Sequence, residues 1–180
     1  YSSGIHCPLI VRIPEKYKDF WPAEKPGMTV DRIVSFVDMP KTWISLAGGE
    51  IPENYQGTIF LGKDIESEPK YHFGFRGRAD ECYDSSRVMR GKRYSYHKNY
   101  APFVPNGQFL PYMHNMIATP AWNKLHKEGK TNAVTGRFFS PRPSEEFYDN
   151  EVDFDNVNNL IDAPEHQEKI AELRAACLLY

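Results

Sequence analysis

Arg90-Gly91-Lys92-Arg93-Tyr94-Ser95-Tyr96-His97 decides the fold of the larger part of this chain of 180 residues. Gly91-Lys92 makes a tight connection. From Tyr94 to His97 aromatic and polar residues alternate, the period-2 pattern of a sheet with one covered face. Ser86 to Arg90 and Arg93 to Asn99 are therefore read as an antiparallel hairpin. Outward toward the N-terminus, Tyr71-His72-Phe73-Gly74-Phe75-Arg76 reads as another strand. Outward toward the C-terminus, Glu145-Glu146-Phe147-Tyr148 reads as the last strand of the same sheet. Between them, residues 101–116 are rich in Pro, Asn, aromatics and Met and are expected to form a long ordered loop. Pro120 is expected to open a short helix through Trp122 and Leu125, ending near Gly129. A final helix is expected from about Pro164, with His166, Ile170, Leu173 and Cys177 on one face at helical spacing.

The first fifty residues have another texture. Pro8-Leu9-Ile10-Val11-Arg12-Ile13-Pro14 is an apolar run closed by prolines, the pattern of a short buried strand. Ile33, Val34, Phe36 and Val37 precede Asp38-Met39-Pro40, a helix start in which Asp38 can cap and Pro40 suits the first turn. Trp43, Ile44 and Leu46-Ala47 give that helix its apolar face, and Gly48-Gly49 stop it. Strand, loop and helix in this order fit the edge of an α/β sheet. The fold class expected is thus α/β for residues 1–50, continuing over residues 51–180 into a small antiparallel sheet with a packed C-terminal helix.

Composition narrows the function classes. With 22 basic and 24 acidic residues the formal charge is −2, which gives no whole-chain argument for nucleic acid or a membrane surface. No apolar run approaches the roughly 18 residues of a membrane-spanning helix. No signal peptide is visible, although the chain does not begin with Met. Cys7, Cys82 and Cys177 are scattered and odd in number, so neither a zinc knuckle nor a disulfide framework is expected. The acidic residues Asp149, Glu151, Asp153 and Asp155 fail as an EF-hand: Phe154 stands where the turn glycine belongs and Leu160 where the bidentate Glu belongs. No GxSxG, HExxH, P-loop or dinucleotide turn is present. Charge is nevertheless uneven. Residues 70–99 hold eight Lys/Arg against three Asp/Glu, whereas residues 144–172 hold ten Asp/Glu against one Lys. That asymmetry fits an anionic ligand at the sheet, and equally fits mutual neutralisation of the two segments.

Four stretches, read in order, carry a resemblance. Tyr1-Ser2-Ser3-Gly4-Ile5-His6-Cys7-Pro8-Leu9-Ile10-Val11 comes first, then Val34 to Gly48 with Asp38-Met39-Pro40-Lys41-Thr42. Ile51-Pro52 with Gln56-Gly57 and Phe60-Leu61 follow, and Glu145-Glu146-Phe147-Tyr148-Asp149 with Asn158-Asn159-Leu160 close the series. In order and spacing they resemble the C-terminal part of the formylglycine-dependent sulfatases, in the alkaline-phosphatase-like superfamily. Departures fall at Ser2, Cys7, Phe154 and Asn156, at a strand entry and in a loop.

The resemblance implies a parent enzyme that hydrolyses sulfate esters, on a sulfated polysaccharide or glycan, in the periplasm or outside the cell. Its nucleophile is a formylglycine made within a Cys/Ser-x-Pro-x-Arg type of motif, and none of the three cysteines has that context. Its Ca2+ ligands belong to the N-terminal part, and its sulfate-binding lysine falls just upstream of Tyr1. The 180 residues alone are therefore expected to be inactive, with the N-terminal part of the same enzyme and the glycan as partners. For substrate contact the candidates are Arg76, Arg78, Asp80, Glu81, Tyr83, Asp84 and Arg87. Arg can pair a sulfate or uronate bidentately, and Asp and Glu can accept from sugar hydroxyls; a salt-bridged turn is the competing reading. His6 joins the candidates because the strand it enters follows that lysine, with a loop-holding role equally open. For His97, His114 and Trp122 a core or surface role is favoured. Two other functions remain: a phosphodiesterase or phosphonate monoester hydrolase of the same superfamily, or a non-catalytic glycan-binding module.

Overall fold

Asp38 is a buried carboxylate, and the backbone around it explains why a charge is tolerated there. Its Oδ2 accepts from the Ser35 amide at 2.7 Å and its Oδ1 from the Thr58 amide at 2.7 Å. Asp38 begins helix α2 (Asp38–Leu46), while Val37 occupies the N-cap position. The side chain expected to cap the helix thus ties the preceding turn and a later loop to its first residue. Gly57 makes this possible. Its φ is +89°, and a Cβ there would lie 2.5 Å from the Val37 carbonyl oxygen and 2.7 Å from Asp38 Oδ1. Only glycine fits such an approach in that conformation. One helical turn further, Thr42 Oγ1 accepts from the Phe60 amide at 3.2 Å, and Lys41 pairs with Glu66 at 2.8 Å. Gly48, with φ +70°, ends the helix in the left-handed region, as its sequence implies.

The computed structural model describes residues 2–180, with side chains described from Gly4 onward. Tyr1, the first residue of the opening motif, lies outside the described residues. The chain divides into two compact units, one of residues 3–72 and one of residues 73–180. In the first, α1 (Ser2–Ile5) leads into residues 6–14, which form no strand. A strand exists through its ladder, and none of the described residues offers this segment one. Leu9 and Val11 are exposed, and Ile10 is 92% exposed. Residues 30–35 likewise join no sheet.

The second unit holds a four-stranded sheet in the order β1 (His72–Ala79), β2 (Cys82–Arg90), β3 (Tyr94–Asn99), β4 (Glu145–Asp149). The expected hairpin is present, with Val88 opposite His97 and Arg90 opposite Ser95. β4 pairs antiparallel with β3, placing Tyr96 opposite Phe147. The outer edge of β4 is protected: the Phe147 amide donates to Asn159 Oδ1, and the Leu160 amide donates to the Phe147 carbonyl. Period 2 sends Met89, Tyr94, Tyr96 and Phe147 to one face. Helix α6 (Gln167–Leu178) covers that face with buried Ile170, Leu173 and Cys177. His166 lies just before α6, its ring 5.6 Å from Phe147.

Ion pairs resolve the uneven charge. Arg93 meets Asp149 at 2.6 Å, Lys98 meets Glu145 at 3.3 Å, and Arg174 of α6 meets the same Glu145 at 2.7 Å. The basic strands and the start of the acidic segment neutralise each other. Chiefly because of Arg174, helped by Tyr96 and Lys98, the Glu145 carboxyl is held down at about 2.

The connection from β3 to β4 contains α3 (Pro111–His114), α4 (Ala118–Lys127) and α5 (Ala133–Gly136). α3 interrupts the expected loop, and α4 begins two residues before Pro120. Trp122 stacks on Phe138 at 4.6 Å, with Phe139 edge-on to both, so this insertion has its own aromatic core.

Candidate functional site

The turn from β1 to β2 consists of Asp80 and Glu81. Asp80 adopts a positive φ of 49°, a conformation that Asp tolerates better than most residues. Arg78 folds back to close it, donating from Nη2 to the Glu81 carbonyl at 2.8 Å and from Nε to the Asp80 carbonyl at 3.3 Å. Asp84 is completely buried. Its carboxylate takes Arg76 Nη2 at 2.7 Å and Arg142 Nη2 at 2.6 Å, with Arg142 Nη1 at 3.3 Å completing a bidentate contact. Arg142 also donates to the carbonyls of Ala101 and Val104, so Asp84 anchors the long connection to the sheet.

Two guanidinium groups on one carboxylate leave a net positive charge. Arg142 is nearly buried, whereas the Arg76 side chain is 35% exposed, so the surplus reaches solvent through Arg76. Its Nε is buried and has no hydrogen-bond partner. Farther along β2, the Arg87 guanidinium lies over the Phe75 ring at 5.6 Å and donates to the Ser86 carbonyl. Phe75 and Tyr83 are both exposed. Phe73 stacks on Tyr180 at 4.7 Å, extending an aromatic surface along β1.

The hairpin therefore gathers Arg76, Arg78, Asp80, Glu81, Tyr83, Asp84 and Arg87, and separates them by task. Asp84 is an internal anchor, unable to reach a sugar. Arg78 braces the turn through the backbone carbonyls of Asp80 and Glu81. Asp80, Glu81 and Tyr83 are exposed, and Arg87 is half-buried on an aromatic ring. His6 belongs to the other unit, exposed just after α1. His97 is buried beside Ser95 in the sheet, its ring edge-on to Tyr148, and burial pushes its pKa down to about 3. Trp122 sits in the aromatic core of the insertion. Arg142, which completes the Asp84 ion triad, had no distinguishing signal; it lies 58 residues from Asp84 between two prolines.

Metal binding finds no support here. Among the described residues, no group of three or more His, Cys, Asp or Glu side chains is placed to hold an ion. Asp149 serves Arg93, and Asp153 accepts from the amides of Val157 and Asn158. The described residues offer no ligand set that fits calcium. Among the described residues, no helix is long and apolar enough to cross a membrane.

No family model matches the chain. Among curated proteins, it is 35% identical over 178 residues to an ulvan-active sulfatase of Formosa agariphila, covering 97% of this chain and 28% of that relative. A second ulvan-active sulfatase of the same organism is 28% identical over 171 residues, covering 91% of this chain and 30% of the relative. The chain thus spans under a third of the length of the curated relatives it matches. Two solved structures are similar at TM-scores of 0.47. One was solved with its substrate D-glucosamine-2-N,6-O-disulfate, at 17% identity, covering 78% of this chain and 22% of that one. The other is a 2-O GAG sulfatase, at 21% identity, covering 77% and 22%.

Proposed function

From a chain that matches the C-terminal part of sulfatases, we propose that the complete protein hydrolyses sulfate esters on a sulfated polysaccharide. The observation that carries this reading is collinear similarity over 97% of the chain to a sulfatase. Both curated relatives are ulvan-active, so ulvan is the first polymer to test. In this reading formylglycine and calcium lie outside the chain, and the enzyme is exported. The chain's own contribution is to present substrate-facing groups on the β1–β2 hairpin. Tyr83 and Phe75 offer flat apolar faces to sugar rings, while Arg76 and Arg87 offer positive charge to sulfate or uronate.

The test compares ester classes. The complete protein is expected to release inorganic sulfate from ulvan oligosaccharides and to leave matched phosphodiesters and phosphonate monoesters intact. Hydrolysis of the phosphorus esters with no sulfate release would replace the sulfatase reading with the phosphodiesterase one. For the hairpin, Arg87→Ala and Tyr83→Ala are expected to raise KM for an oligosaccharide roughly tenfold, the loss of about 1.4 kcal/mol of binding. Unchanged kinetics in both variants would remove the hairpin from the site.

A further inference from the structure

Helices α3 and α4 border a cavity of about 480 Å³ that is open to solvent, lined by His114 and Asn123 and by the exposed Pro120, Lys124, Lys127 and Glu128. That volume lies in the range of small-molecule sites, about 300–1,000 Å³. Its charge balance is decided by one acid. Glu128 Oε2 takes Lys130 at 2.7 Å, and its other oxygen is 3.9 Å from Lys124. Lys130 thus offsets Glu128, leaving Lys124 and Lys127 as surplus positive charge over the cavity. Lys127 has no ion-pair partner among the described residues. Opposite the lysines, His114 Nδ1 lies 3.1 Å from the Leu110 carbonyl. A carbonyl only accepts, so Nδ1 carries a proton, and this bond fixes the orientation of the imidazole. The Asn123 amide supplies both a donor and an acceptor. Phe109, 67% exposed, rests on the His114 ring at 4.5 Å and offers an apolar face beside it.

Paired ammonium groups, an oriented imidazole, an amide and an adjoining aromatic ring match one chemical class. We propose that this cavity binds a sugar unit bearing an anionic group, sulfate or carboxylate. Lys124 and Lys127 hold the anion, and His114 and Asn123 meet the hydroxyls. A simple basic helix face would explain the lysines, but it would not explain their convergence with an oriented imidazole around a concavity. The proposal deepens the reading of the complete protein as an enzyme of sulfated polysaccharides, and rests on it for the ligand class.

Binding is measured by titration calorimetry on the complete protein at low temperature, with two oligosaccharides of equal length. One carries sulfate and no uronate, the other uronate and no sulfate. The wild type is expected to bind at least one of them, which identifies the anion recognised. The double variant Lys124→Ala/Lys127→Ala should bind that sugar roughly tenfold more weakly, and the wild-type affinity should fall as salt is raised. Lys124→Arg/Lys127→Arg should keep most of the affinity, and Lys18→Ala, which lines no part of the cavity, should keep all of it. Binding of neither sugar by the wild type, or equal binding by the double alanine variant, would overturn the proposal. Sulfate release is measured in parallel. Release with unchanged binding defeats this site alone, whereas lost binding without release in any protein defeats the sulfatase reading alone.

Discussion

At the scale of single residues, two buried carboxylates organise the two units. Asp84 pairs with the nearly buried Arg142 and the partly exposed Arg76, so removing it strands the Arg142 charge out of water. Breaking a buried pair in this way costs about 3–5 kcal/mol, well above the net worth of the interaction, because the remaining charge is uncompensated. Asp84→Ala is therefore expected to lower the unfolding midpoint sharply. A midpoint within error of wild type would show that Arg142 and Arg76 have another partner. Asp38 is satisfied by backbone amides instead of by a cation, and its weak point is the neighbour that lets those amides approach. Gly57→Ala combines a positive φ with a Cβ pressed against the Val37 carbonyl. It should destabilise the protein by more than the roughly 1 kcal/mol of an ordinary glycine replacement at positive φ; a neutral effect would refute the tight approach. Asp38 was recognisable in the sequence as a helix-start residue. Its second role was not, because the Thr58 amide it accepts from lies twenty residues away and no local pattern encodes that meeting.

At the scale of elements, α6 is held to the sheet by apolar burial and by one carboxylate. Glu145 joins Lys98, Tyr96 and Arg174, and these contacts lower its folded pKa from the usual 4.5 to about 2. Between those values the unfolded chain binds a proton that the folded chain refuses, so the Glu145 contribution is complete above about 4.5 and is lost as pH falls toward 2. His97 acts in the same direction from a higher starting point. Burial lowers its pKa from 6.5 to about 3, so unfolding gains a proton below pH 6.5 and stability declines as pH falls through that window. The protein is expected to lose thermal stability progressively below pH 6.5, and His97→Gln should flatten the upper part of that decline. An unaltered slope in the variant would show that His97 is not the titrating group.

These elements also show what local pattern conveys. The β2–β3 hairpin was legible because a tight Gly91-Lys92 connection and strict alternation encode a nearest-neighbour ladder. α6 was legible because Ile170, Leu173 and Cys177 keep helical spacing. The Pro8–Pro14 run carried the right composition for a strand, yet strand formation depends on a partner that composition does not name. The hairpin candidates were found as a group because the charged residues cluster within twelve positions. Their division into anchor, brace and exposed surface depended on Arg142, which the sequence places far away. The α3–α4 cavity has no local signature for a similar reason: His114 and Lys127 lie on two separate short helices and line one concavity only in the folded chain.

At the scale of the whole molecule, the first unit exposes apolar residues that an independent protein seldom leaves in water. Leu9, Ile10 and Val11 form an exposed apolar segment that joins no sheet among the described residues, a template for association. In the reading advanced here, the N-terminal part of the complete enzyme covers this segment. Residues 1–180 produced alone are accordingly expected to associate or to melt without cooperativity. A sharp, cooperative transition of the isolated chain as a monomer would contradict that view and favour a self-sufficient glycan-binding module.

The most direct test of the account is sulfate released from ulvan oligosaccharides, quantified by ion chromatography, for the complete protein and for residues 1–180 side by side. The account predicts steady release by the complete protein and none above the protein-free control by the 180 residues. Release by the isolated chain at a comparable rate, or none by the complete protein from any sulfated polysaccharide, would contradict it.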